Sequence, residues 1–84
     1  MRDFYFSDKS WANDDHREVR IEVNTVAIIL LRDNEYWNCY FYDLRKPDGE
    51  QYIMDINISN ALALRIIEEA KEYQAFYYAR NSYK

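Results

Sequence analysis

The chain has 84 residues and a formal net charge of −4 at pH 7, from 15 acidic and 11 basic side chains. This length predicts one domain with one small hydrophobic core. The acidic balance argues against direct nucleic-acid binding, which normally needs a positive surface, and it is compatible with docking onto a basic partner. The single cysteine allows no internal disulfide, and no apolar run is long enough for a signal peptide or a membrane span, so we expect a soluble cytoplasmic protein.

The N-terminal third of the chain predicts strands. Asp3–Ser7 has the composition of a short strand at a sheet edge, and Asp8–Glu18 is polar and reads as a loop. From Val19 to Arg32 every odd position is apolar or β-branched, which predicts one long strand with one face on the core. An alternative is a break near Asn24-Thr25 into two strands, which would swap the inward and outward faces beyond the break.

The rest of the chain predicts a hairpin and a helix. Tyr36–Leu44 alternates again, with Trp37, Cys39 and Phe41 inward and Tyr36, Tyr40 and Tyr42 outward. Lys46-Pro47-Asp48-Gly49 is a strong turn signal and leads into a strand over 51–58, where Tyr52, Met54 and Ile56 are expected on the core face. Ser59 or Asn60 then caps a helix that runs to about Tyr78. Its apolar side chains fall within one arc of roughly 140°, formed by Leu62, Ala63, Ile66, Ile67, Ala70, Tyr73 and Tyr77.

These elements predict an α+β fold, in which an antiparallel meander of three to four strands carries one C-terminal helix on one face, in the order ββββα. Residues 1–84 form a single domain in this interpretation. Residues 1–18 supply a short strand and a polar loop, 19–58 the antiparallel sheet and 59–80 the helix.

The second face of the predicted sheet raises a question, because one helix covers only one face. On the long-strand interpretation, the second face carries an apolar group formed by Val26, Ile28, Leu30 and Ile53. A monomer rarely exposes so large an apolar patch. Three interpretations remain open: the N-terminal segment with Phe4, Phe6 and Trp11 folds over it, two copies pack there as a homodimer, or another protein docks there.

Signatures of catalysis and cofactor binding are almost absent. The only glycine, Gly49, lies in a turn, so there is no phosphate-binding loop, and one cysteine with one histidine cannot form a zinc site. Cys39 is expected to point into the core, where thiols are usually inert. Asp14-Asp15-His16 is interpreted as a solvated acidic loop. We therefore expect no enzymatic activity, no cofactor and no metal.

The exposed residues favour binding of another macromolecule. Tyrosine supplies contact area and a hydroxyl at low entropic cost, so Tyr36, Tyr40 and Tyr42 are the expected anchors. The acidic residues expected to steer a basic protein partner are Asp14, Asp15, Asp33, Glu35, Asp43 and Asp48. In size, acidity, tyrosine content and lack of catalytic motifs the chain looks like the small inhibitors, including anti-CRISPR and anti-restriction proteins, that phages and mobile elements make against host nucleases. The resemblance implies a host nucleic-acid-handling complex as target and the host cytoplasm as location.

Two other functions remain open. The outward tyrosines could stack unpaired bases, and a four-strand-plus-helix order resembles the single-strand-binding transcriptional coactivator fold, which implies a nucleic-acid-binding dimer. Alternatively, the second sheet face builds a homo-oligomeric structural scaffold.

Overall fold

The computed structural model describes residues 4–10 and 17–81, apart from the side chains of Lys9, Ser10 and Asn81. Its elements are β1 (Phe4–Ser10), β2 (Arg17–Val23), β3 (Val26–Asp33), β4 (Tyr36–Asp43), β5 (Tyr52–Ser59) and α1 (Asn60–Asn81). All strand pairs are antiparallel and the spatial order is β1-β2-β3-β4-β5, so β1 and β5 are the edges. The predicted α+β meander with a C-terminal helix is confirmed, with five strands rather than three or four.

The additional strand arises from a tight hairpin inside the segment expected to be one long strand. Val23 at the end of β2 pairs with Val26 at the start of β3, so only Asn24 and Thr25 form the connection. Asn24 has a φ of 55°, in the left-handed region that asparagine tolerates better than β-branched residues. The long-strand prediction was therefore wrong, and the alternative break at Asn24-Thr25 is the correct one.

The hairpin decides which side chains face the core. Directly paired residues share a face, and Val19 pairs with Leu30 while Ile21 pairs with Ile28. The even positions of β3 therefore join the odd positions of β2 on the face that packs against α1. Leu30 is completely buried there, Ile28 is half-buried and Val26 is partly exposed at the hairpin end. Their expected place on the second face was wrong, because the two-residue turn reverses the alternation.

The aromatic residues of β1 also face the helix. Phe4 is opposite Val23 and Phe6 is opposite Ile21, and both phenylalanines belong to the core or pack against it. They do not fold over the second sheet face, as one interpretation of the sequence proposed. Trp11, the third residue of that interpretation, lies outside the described residues.

Helix α1 crosses the sheet diagonally. At its start, the Ser59 hydroxyl accepts a hydrogen bond from the Leu62 backbone N–H at 3.1 Å, so of the two predicted caps Ser59 is the correct one. There too, Trp37 Nε1 on β4 donates to Asn60 Oδ1 at 2.8 Å. Near its other end the Tyr78 hydroxyl donates to the Phe4 carbonyl oxygen on β1 at 3.2 Å. The helix thus extends from β4 and β5 to the opposite edge of the sheet.

Helix α1 buries a narrow stripe of side chains against the sheet. Ala63, Ile67 and Ala70 form the buried stripe of α1, as the helical periodicity predicted. Leu62 and Tyr73 belong to the same predicted apolar arc, yet they are 46% and 54% exposed. The contact is narrow because a diagonal helix meets the twisted sheet along one stripe, which leaves one flank of the arc uncovered.

The Trp37–Asn60 bond generates a stability prediction. Asn60→Ala leaves a buried indole N–H without its acceptor, and we expect it to lower the free energy of unfolding by about 1–3 kcal/mol. Chemical denaturation measures this change. In a Trp37→Phe background the donor is already absent, so Asn60→Ala should cost clearly less. An equal cost in both backgrounds would contradict a role for the bond.

The left-handed backbone of Asn24 generates a second prediction. Asn24→Gly should leave the stability near that of the parent, whereas Asn24→Val should lower it by roughly 1–3 kcal/mol because a β-branched residue is strained at positive φ. Thermal and chemical denaturation compare the two variants. Equal stability of both would show that the hairpin does not need this conformation.

Candidate functional site

The face of the sheet opposite α1, called here the open face, is the candidate site. The described residues place no second layer on it, since α1 packs on the other side. Strand register assigns to it the following side chains: Tyr5, Ser7, Glu18, Arg20, Glu22, Ala27, Ile29, Leu31, Asp33, Tyr36, Asn38, Tyr40, Tyr42, Tyr52, Asp55 and Asn57. It is thus a surface of tyrosines and carboxylates around an aliphatic centre.

The three tyrosines expected as anchors do lie on this face. Alternation along β4 buries Trp37 and Cys39 towards α1 and turns Tyr36, Tyr40 and Tyr42 outward, as predicted. Tyr36 is 44% exposed, and the other two are half-buried by their neighbours on the sheet. All three rings are on β4, an inner strand whose backbone pairs with β3 on one side and β5 on the other, so the backbone that carries them is fixed.

A β-bulge in β5 turns Tyr52 onto the open face, whereas the sequence predicted it on the core face. Phe41 pairs with Met54 while Tyr42 pairs with Tyr52, so Ile53 is an extra residue in β5. The expected core position of Tyr52 was therefore wrong. Its ring meets the Tyr42 ring edge-on, with 6.1 Å between centroids. Ile53, at the bulge, is 53% exposed.

The Tyr52 hydroxyl is hydrogen-bonded to a carboxylate. It donates to Asp55 Oδ1, and this bond raises the pKa of Tyr52 because the carboxylate accepts the proton that ionisation would remove. Asp55 lies directly opposite Tyr40, so its carboxylate is next to two rings of the open face. The sequence interpretation missed both Tyr52 and Asp55, and a bulge of this kind has no sequence signal of its own.

The centre of the open face is aliphatic. Ile29 and Leu31 are half-buried and Ala27 is completely buried, which explains why the even and the odd positions of β3 are both apolar. Next to them on β2, Arg20 donates to Glu22 at 2.7 Å. The only described guanidinium of this face is therefore already paired with one of its carboxylates.

The predicted acidic residues are not brought together. Asp33 and Glu35 lie at the β3–β4 hairpin, at the same end of the sheet as Tyr36. Asp43 pairs with Val26 and so faces the helix side, and Asp48 lies in the β4–β5 turn at the opposite end. Asp14 and Asp15 lie outside the described residues.

Asp43 has a local structural partner. Its carboxylate accepts hydrogen bonds from the Arg45 backbone N–H at 3.0 Å and from Arg45 Nε at 3.1 Å. These bonds lower the pKa of Asp43. The residue thus braces the start of the β4–β5 turn, and its charge is partly neutralised where steering of a partner was expected.

Groups with catalytic or metal-binding chemistry are few in the part of the chain described here. Cys39 is buried, and desolvation raises the pKa of its thiol, so little reactive thiolate is present at neutral pH. Within residues 4–10 and 17–81, no three histidine, cysteine or acidic side chains cluster as metal ligands. The described helix is not apolar enough to span a membrane.

Comparisons with protein-family models, curated proteins and solved structures return no significant match. The function therefore has to be inferred from the surfaces of the chain itself.

The Tyr52–Asp55 contact is testable by titration. We expect the pKa of Tyr52 to lie above the ordinary tyrosine value of about 10, and Asp55→Asn to lower it because the charged acceptor is lost. NMR of ring-labelled tyrosines, assigned with Tyr52→Phe, measures both values. The matched control is Asp48→Asn in the nearby turn, which should leave Tyr52 unchanged. An unaltered pKa in Asp55→Asn would contradict the contact.

Proposed function

We propose that the chain is a protein-binding module whose open face docks onto a basic, nucleic-acid-binding surface of a host protein, and that it acts as an inhibitor of that protein in the manner of phage or mobile-element proteins. The observation that carries the proposal is the joint presentation of tyrosines and carboxylates on one uncovered sheet face. This arrangement imitates the two parts of a nucleotide that a basic groove binds. The tyrosine rings take the place of bases, and the carboxylates take the place of phosphates.

The tyrosines supply the proposed contact energy. Tyr40 and Tyr42 alternate on β4 with Tyr52 opposite on β5, so their rings form one cluster on a rigid support. Rigid aromatic anchors lose little conformational entropy on binding, and tyrosine is frequent among the residues that dominate interface energies. The half-buried rings of Tyr40 and Tyr42 provide shape at the centre of the contact, and the exposed Tyr36 extends it towards the β3–β4 hairpin.

The charges of the open face favour a basic partner. Carboxylates of Glu18, Glu22, Asp33 and Asp55 surround the aliphatic centre, whereas the described cationic side chain is Arg20, which is bonded to Glu22. A basic partner is attracted by this field, which accelerates association at low salt. A nucleic-acid phosphate backbone is repelled by it.

Single-strand nucleic-acid binding is the second candidate, because exposed rings on a sheet face can stack bases without regard to sequence. Fluorescence anisotropy with a short labelled single-stranded DNA and a single-stranded RNA at low salt tests it. Binding that disappears in Tyr40→Ala would favour this candidate over the protein partner.

The protein-binding proposal predicts a matched pair of results. We expect Tyr40→Ala to weaken capture of a partner from lysate of the source host by about tenfold or more, mainly through faster dissociation. The control is Phe76→Ala, an equally drastic truncation of a ring that is 60% exposed on α1, away from the open face; it should change nothing. Circular dichroism verifies that both variants fold.

Salt provides an independent readout of the same proposal. The parent protein should capture its protein partner less strongly as ionic strength rises, because the proposed contact joins opposite charges. Capture that is indifferent both to salt and to Tyr40→Ala would contradict the proposal.

A further inference from the structure

Among residues 4–10 and 17–81, no strand pairs with the outer edge of β5. The Asp43 backbone N–H donates to the Gln51 carbonyl at 2.7 Å, so the helix-facing residues of β4 direct their backbone groups towards β5. In an antiparallel pair the residues opposite them, such as Ile56, direct theirs back towards β4. The intervening residues of β5 therefore direct their N–H and C=O groups outward. Asp55 and Asn57 thus form the hydrogen-bonding edge of the sheet.

This edge lacks the features that normally prevent a strand from pairing further. Strands at sheet edges are commonly protected by lysine, proline or a covering element, but β5 contains neither residue and has Asp55 as its one charged side chain. The side chains of Met54 and Ile56 are 48% and 41% exposed. At the other edge, β1 buries Phe4 under the helix and carries the ion-paired Asp8.

The start of α1 extends the same apolar strip. Asn60 points towards β4, where it accepts the hydrogen bond from Trp37. Residues two positions apart on a helix project about 200° apart around its axis. Leu62 therefore projects away from β4, and it is 46% exposed. The start of the helix thus adds an exposed apolar side chain, on the side away from β4, to the exposed Met54 and Ile56 of β5.

We propose that two copies of this chain join by antiparallel pairing of β5 with β5, which makes one sheet of ten strands, five from each copy. A twofold axis passes between the two Ile56 residues. Met54 of each copy then lies opposite Ile58 of the other, and Asp55 lies opposite Asn57. Leu62 of each copy covers Met54 of the other, so each helix completes the layer that the other leaves unfinished.

The charge on β5 selects this register. Helix-facing residues of one β5 must lie opposite helix-facing residues of the other. A shift from one permitted register to the next therefore moves each residue to a partner two positions along the other strand. The neighbouring register of equal overlap places Asp55 opposite Asp55, and like charges directly opposite one another are destabilising. The register centred on Ile56 instead pairs a carboxylate with the amide of Asn57 and aliphatic side chains with one another.

The pairing has a consequence for binding but does not rest on the proposed function. A twofold axis perpendicular to the sheet leaves both open faces on the same side, so a dimer presents two tyrosine clusters in one plane. A partner with two suitable basic surfaces would be held by both, which increases the overall affinity without a new kind of contact.

Solution mass tests the pairing. Light scattering on a size-exclusion column should give a monomer–dimer equilibrium over an approximately 100-fold range of protein concentration. Ile56→Lys places two ammonium groups face to face at the axis, and we expect it to raise the dissociation constant at least about tenfold. The control is Leu64→Lys, the same change at a side chain that is 48% exposed on the helix. A parent protein that stays monomeric at all concentrations, or a dimer equally stable in Ile56→Lys, would overturn the proposal.

Cross-linking tests the register, and it also decides the matter if Ile56→Lys fails to fold. Ile56→Cys should form a disulfide-linked dimer rapidly under mild oxidation, because closely spaced cross-strand pairs suit disulfide geometry. Asp55→Cys and Leu64→Cys should cross-link far more slowly. All three variants carry Cys39→Ala, because Cys39 lies directly opposite position 56 in the β4–β5 pair and would compete by forming an intramolecular disulfide. Equal rates for the three variants would overturn the register. A dimer disrupted by Tyr40→Ala and not by changes in β5 would show that the open faces pair instead.

Discussion

The arrangement of this protein depends on a single helix that is fixed at both ends to one face of a five-stranded sheet. Trp37 holds the first turn of the helix through Asn60, and Phe4 holds its last turns through the Tyr78 hydroxyl. These two anchors lie at opposite ends and near opposite edges of the sheet, so the helix must cross it diagonally. A diagonal helix of 22 residues covers one stripe of one face. No other described element therefore covers the second face or the β5 side of the first face.

The two uncovered surfaces differ in their chemistry, and so they suit different partners. The open face combines tyrosine rings with carboxylates. The proposed partner is therefore a basic surface, and the attraction between the two is weakened by salt. The β5 edge combines outward backbone groups with aliphatic side chains and little charge, which favours another strand of similar composition. Because the edge and the open face are perpendicular to one another, both contacts can form at once.

Alternation of side chains made much of the fold predictable. The β4 pattern correctly separated Trp37 and Cys39 from the outward tyrosines, the Lys46-Pro47-Asp48-Gly49 turn correctly linked β4 to β5, and Ser59 is the helix cap. The errors came from two places where the phase of the alternation changes. A hairpin at Asn24 was concealed because apolar residues continue on both sides of it, and a bulge at Ile53 carries no sequence signal.

The sequence by itself determined the fold class, the placement of the β4 tyrosines and the net negative charge, because periodicity and charge are local properties of the chain. Only the tertiary structure decided that Leu30 is core and not interface, that Tyr52 joins the open face, and that Asp43 is occupied by Arg45. It also decided which strand is left as an exposed edge. These features depend on register and on where the helix crosses, and both are set by contacts between residues far apart in the chain.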